Sequence, residues 1–148
     1  IFSKSGITHA IHTGSNKEGL EVTLKAVRNE LPLEDIAYEK GKSYNNVEMI
    51  FTNLVDTDML YGHRNDAKGY GKAIEEIDTY LGPIMDSMDE YDLLIVTADH
   101  GCDPTVSGTD HTREKVPFLM YSKSLPSQGN LGEIEGFDSI ASFIRDWI

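Results

Sequence analysis

The run Leu93-Leu-Ile-Val-Thr-Ala98 is apolar at nearly every position and then stops on Asp99-His100-Gly101. So short a stretch, without polar alternation, reads as a strand covered on both faces. Titratable side chains at its end then sit at the mouth of a sheet, where ligands of layered α/β proteins collect. The pattern occurs twice. Glu48 to Val55 is a second near-continuous apolar run, leading into Asp56, Asp58 and His63. His111 follows twelve positions after Asp99, inside Gly108-Thr-Asp-His-Thr-Arg-Glu114.

The rest of the chain frames these two strands. Ile7 to Thr13 reads as a short strand, with Gly14-Ser-Asn16 as a turn and helix entry. Gly19 to Leu31 has Leu20, Leu24, Val27 and Leu31 at helical spacing. Pro32 to Asn46 is polar and reads as a surface loop. Tyr70, Ile74, Ile77, Leu81, Ile84 and Met88 form one helical stripe, which Pro83 is expected to kink or divide. Val116 to Tyr121 is a further strand, and Phe137 to Ile148 an amphipathic helix. Alternating strands and helices predict an α/β fold with a mostly parallel sheet flanked by helices.

Composition narrows the partners. A chain of 148 residues suffices for one domain with a core. A formal charge of −12 argues against a nucleic-acid partner. It leaves room for a phosphorylated small molecule, because bound divalent cations invert the local field. No stretch approaches the roughly 20 apolar residues needed to cross a bilayer. The single cysteine, Cys102, excludes an internal disulfide, suits a reducing compartment and reads as a small residue in a tight loop.

Imidazole plus carboxylate is a ligand set for zinc or manganese, whereas calcium favours oxygen ligands alone. Asp58 and His63 are five apart, around a turn in which Gly62 permits close approach. Asp99 and His100 are adjacent, so on an extended chain they could serve two different ions. Two metals roughly 4 Å apart are the usual clamp for phosphoryl transfer. Each residue also has a plainer role. Asp99 could cap a turn, Asp56 or Asp58 could cap the helix that follows, and His111 alone could be a surface residue. His9 and His12 fall outside the cluster. Arg64 and Arg113 could hold a phosphate bidentately or pair with Asp66 and Glu114.

Three segments carry a family resemblance. They are Asn53-Leu-Val-Asp-Thr-Asp-Met-Leu-Tyr-Gly-His-Arg64, Leu93-Leu-Ile-Val-Thr-Ala-Asp-His-Gly-Cys-Asp-Pro-Thr105 and Gly108-Thr-Asp-His-Thr-Arg-Glu114. Together they resemble phosphopentomutase of the prokaryotic type, in the alkaline phosphatase superfamily. Asp-His-Gly is a superfamily signal; the other two segments are far more specific. The resemblance implies interconversion of ribose 1-phosphate and ribose 5-phosphate, and of the deoxyribose pair, through a phosphothreonine enzyme and a sugar bisphosphate. It implies two divalent ions, manganese by family habit. Asp58, His63 and His111 would bind one, and Asp99 and His100 the other.

Under the same resemblance the chain, 1–148, is the C-terminal portion of a metal-binding catalytic core, incomplete in this fragment. The threonine nucleophile, a further aspartate ligand and a cap domain are not recognisable in it. Thr97, Thr105, Thr109 and Thr112 are present, and none is assigned as nucleophile. Relatives often carry a lysine near Thr13-Gly-Ser-Asn16, where this chain has glycine. Such a fragment is expected to be inactive alone, to hold its second metal weakly, and to self-associate through open sheet edges. A cytoplasmic location follows from the resemblance and the lone cysteine. The alternatives are another phosphomutase or phosphodiesterase of the superfamily, or a metal-binding module without catalysis.

Overall fold

The computed structural model describes residues 6–39, 47–126 and 129–148. The first helix, α1, runs Asn16–Val27. Ser15 is extended and its Oγ accepts a hydrogen bond from the Glu18 amide at 3.2 Å, while Glu18 reaches back to the Gly14 amide at 2.7 Å. This side-chain exchange satisfies amides that a helix start leaves without partners. The apolar spacing predicts a helix as far as Leu31, but α1 ends earlier. Asn29 adopts a left-handed φ of 57°, and the amides of Asn29 and Glu30 fold back onto the carbonyls of Ala26 and Lys25. That pairing is a Schellman stop, and it overrides the periodicity.

The second helix, α2, runs Ala67–Ser87, with Asp66 Oδ1 accepting from the Gly69 amide at 2.8 Å. Pro83 lies inside it, yet α2 is one continuous helix rather than two pieces. Proline removes the hydrogen bond to the Thr79 carbonyl. Thr79 and Pro83 are both exposed, so water can serve that carbonyl. Helices α1 and α2 pack together, and among the described residues the buried apolar side chains are Leu20, Ala73, Ile84 and Met88. Ile74, expected on the buried stripe, is 47% exposed, and Ala73 takes the inner position.

The fold is mixed α/β, but its sheet differs from the expected one. Strands β1 (Leu94–Thr97) and β2 (Phe118–Tyr121) pair antiparallel, Leu94 opposite Tyr121 and Thr97 opposite Phe118. The mostly parallel sheet is therefore not found among the described residues. Parallel neighbours need a crossover, usually helical. The segment between β1 and β2 contains no helix and doubles back on itself instead.

Two further strands were expected. Residues 48–55 run as irregular, largely exposed chain, and 7–13 contributes only the bridge His9–Ala37. A continuous apolar run signals cover on both faces, and the described residues supply no such cover for 48–55. Part of the expected surface loop, 40–46, lies outside the described residues.

The last helix, α3, runs Asp138–Trp147. It reaches the sheet through Phe143, whose ring lies 5.3 Å from that of Phe118, and through Trp147 Nε1, which donates to the Tyr91 carbonyl at 2.8 Å. Phe137, expected on its buried stripe, is 56% exposed. No helix among the described residues is long and apolar enough to cross a membrane.

Leu20 is 3% exposed and lies on α1, which packs against α2. Leu20→Ala is expected to cost about 2–5 kcal/mol, read as a lower urea midpoint; a change within error would mean that this contact does not hold the helices together.

Candidate metal centre

Asp58 and His63 belong to a compact double turn. Residues Thr57–Tyr61 form a single π turn, and Gly62–Arg64 a 3-10 turn. Isolated π turns recur at functional sites because the extra residue redirects side chains. The double turn is fixed at its start by a reciprocal pair. The Asn16 amide donates to Asp56 Oδ2 at 2.8 Å, and the Asp56 amide donates to Asn16 Oδ1 at 3.0 Å. Asn16 is 1% exposed, so this pair is shielded from water. Inside the turn, Arg64 Nη1 donates to the Met59 carbonyl. Gly62 is buried, and a Cβ there would fall on Cys102 Sγ and press on the Thr57 carbonyl. Glycine is required at this position for close approach rather than for an unusual φ.

His100 and His111 belong to the segment joining β1 to β2. An antiparallel bridge between Gly101 and Thr112 closes it, with the Thr112 amide donating to the Gly101 carbonyl at 3.0 Å. The Thr112 hydroxyl accepts from the Asp103 amide at 2.7 Å. Asp103 Oδ1 in turn accepts from the amide and hydroxyl of Thr105, which holds its carboxyl below the usual carboxylate range. A Cβ on Gly101 would meet the Glu114 carboxylate and the Thr112 carbonyl. Closing the bridge brings His100 and His111 face to face, with ring centroids 3.7 Å apart and planes 19° from parallel.

The two segments meet at Asp58. Its Oδ1 lies 3.3 Å from His63 Nε2 and 3.5 Å from His111 Nε2, and the His63 and His111 ring centroids are 5.0 Å apart. Ligand atoms of Asp58, His100 and His111 all fall within 4.8 Å of one another. Asp99 is the outlying member: its side chain is 88% exposed, with Oδ1 3.6 Å from His100 Nε2. Arg64 does not pair with Asp66 as the sequence suggested but closes the π turn on Met59. Arg113 is exposed beside Thr112.

Proton positions follow from the partners. His63 Nδ1 bonds the Thr109 carbonyl, and His100 Nδ1 bonds the Gly101 carbonyl at 3.1 Å. A carbonyl only accepts, so both Nδ1 atoms carry a proton, which leaves Nε2 of each ring as the atom available to a metal ion. In His63 that nitrogen faces a carboxylate oxygen that is itself buried and has no hydrogen-bond partner among the described residues. A carboxylate oxygen set between imidazole nitrogens at 3.3 and 3.5 Å is a place that suits a cation. Binding the far imidazole nitrogen to a backbone carbonyl is also how metal-ligating histidines are oriented. The donor set thus fits a divalent transition metal.

Nearby groups feel the same negative field. Burial, a hydrogen bond with Asp58 and the charges of Asp58, Glu114 and Asp103 push the Cys102 thiol above its ordinary value. Burial first, then Cys102 and the same carboxylates, raises Tyr70. Cys102, read from sequence as a loop filler, therefore touches a candidate ligand. Its place after Asp-His-Gly was visible in the sequence; its contact with Asp58, 44 positions earlier, was not.

Comparison with known proteins agrees with this chemistry. Residues 7–147 match the model of the metalloenzyme superfamily, and the chain belongs to that superfamily. It is similar to phosphopentomutases. The identity is 47% with that of Clostridium novyi (strain NT) and 49% with that of Caldanaerobacter subterraneus subsp. tengcongensis, over 99% of this chain in each case. With that of Acetivibrio thermocellus it is 41% over the whole chain. The chain spans about a third of the length of these relatives, 33–34%.

The raised Cys102 thiol gives a test of the field. In the metal-free chain, the pH profile of its reaction with a disulfide reagent is expected to lie alkaline of an ordinary thiol, and Asp58→Asn should move it back down. A wild-type profile at or below that of free cysteine would contradict the contact with Asp58.

Proposed function

We propose that this chain is the metal-ligating portion of a phosphopentomutase catalytic core, with the threonine nucleophile and the cap domain carried by other parts of the protein. The whole enzyme would interconvert (deoxy)ribose 1-phosphate and (deoxy)ribose 5-phosphate in the cytoplasm, through a phosphothreonine and a sugar bisphosphate. The observation that carries the reading is the meeting of the buried Asp58 Oδ1 with the Nε2 atoms of His63 and His111, beside His100. The similarity to phosphopentomutases over essentially the whole chain supports it.

Asp58, His63 and His111 would hold one ion, and Asp99 and His100 a second, both manganese. Bound ions of this kind neutralise phosphoryl oxygens and orient the attacking group. The chain's own part is to present ligands in fixed tautomers. Carbonyls of Thr109 and Gly101 keep protons on the far nitrogens of His63 and His100. The Gly101–Thr112 bridge holds His100 and His111 together. Arg64 is committed to the Met59 carbonyl, so Arg113 is the freer candidate for a substrate phosphate. The net charge of −12 disfavours a nucleic-acid substrate and fits a small sugar phosphate. The open edges of the two-stranded β1–β2 sheet are where this chain would self-associate.

Two measurements test the reading. The whole protein that carries this chain, supplied with Mn2+, should convert ribose 1-phosphate and leave 3-phosphoglycerate untouched; the reverse preference overturns it. For the chain itself, Mn2+ at a hundred times its dissociation constant should stabilise the fold by about 2.7 kcal/mol. Asp58→Asn should abolish the rise in melting temperature, and an identical rise in that variant would remove Asp58 from the ligand set.

A further inference from the structure

We propose that Asn65 is a positioning residue of the metal centre, whose side chain latches the segment carrying His111 to the turn carrying Asp58 and His63. The inference rests on the reading of those three residues as metal ligands.

Asn65 ends the 3-10 turn with its amide on the Gly62 carbonyl at 3.1 Å and a left-handed φ of 54°. Asparagine is among the few side chains that accept this backbone region readily. Its Nδ2 donates to the Val106 carbonyl at 2.7 Å, across 41 positions of sequence. Three residues beyond Val106, the Thr109 carbonyl takes the proton of His63 Nδ1. Two residues beyond Thr109 stands His111. The turn at 63–65 and the tip at 106–109 are therefore joined by two side-chain-to-carbonyl hydrogen bonds, of which one sets the tautomer of a candidate ligand.

Otherwise the tip is held by the Val106 amide on the Asp103 carbonyl at 3.3 Å and, at its base, by the Gly101–Thr112 bridge. Residues 105–111 are all exposed, and they lie outside any helix or strand. An exposed segment without apolar anchors belongs to the least stable part of a fold. If it drifts, His63 loses its carbonyl acceptor. Ordering these residues only when the ion arrives would be charged against affinity. Asn65 avoids that cost because it combines two properties. Glycine would accept the backbone but has no donor. Aspartate would accept the backbone but presents only acceptors when ionised.

Asn65→Gly separates the latch from the backbone requirement. The measurements are Mn2+ affinity by calorimetry, on chain verified as folded by circular dichroism, and the His63 tautomer by nitrogen NMR of the metal-free chain. Affinity is expected to fall about tenfold to a hundredfold, the range for losing an outer partner of a metal ligand. His63 should change from a single Nδ1–H form to a mixture. A role confined to holding the turn would leave both unchanged. Unchanged affinity, or a His63 that keeps one tautomer, overturns the inference. A wild-type chain that takes up no Mn2+ overturns both this inference and the metal reading beneath it. Wild-type uptake with equal affinity in the variant overturns the inference alone. If Asn65→Gly fails to fold, Asn65→Asp replaces it under the same expectations.

Discussion

The backbone bridge between Gly101 and Thr112 fixes more of this molecule's chemistry than any side chain does. It turns the segment after β1 back toward β2, so the two strands pair antiparallel. It also brings together two histidines that are eleven positions apart. The bridge tolerates no side chain at position 101, where the Glu114 carboxylate and the Thr112 carbonyl already occupy the space. With the bridge closed, His100 and His111 stack, and His111 comes within reach of Asp58. A larger residue at 101 would act on both histidines at once, although it ligates nothing itself.

The centre that results is poised rather than satisfied. Carbonyl acceptors hold protons on Nδ1 of His63 and His100, which leaves Nε2 of each as the ligand atom. A buried carboxylate oxygen with no hydrogen-bond partner among the described residues lies 3.3 Å from His63 Nε2. A divalent ion would engage both atoms at once. Here the local electrostatics and the superfamily membership point the same way.

Sequence carried the local features and missed those set at a distance. The helix periodicity located α2 and α3 to within a few residues, and β1 lies where its short apolar run is densest. The end of α1 was misplaced because Asn29 in a left-handed conformation stopped it, a local signal weaker than the leucine spacing. The run at 48–55 read as a buried strand because an apolar pattern reports the cover a segment is suited to, and not which neighbours provide it. The five candidate ligands were legible as residue types at the ends of apolar runs. What held them was not: Asn16 on Asp56, Cys102 beneath Gly62 and Asn65 on Val106 each join positions forty or more apart, and no periodicity encodes such pairs.

The reciprocal bonds between Asn16 and Asp56 have a thermodynamic corollary. Each residue's side chain satisfies the backbone amide at the start of the other's helical turn. Neither start can fray while the other stays intact without stranding a donor in a site closed to solvent. The opening turn of α1 and the π turn bearing Asp58 are thus one cooperative unit, and amide deuteration would register a single opening for both.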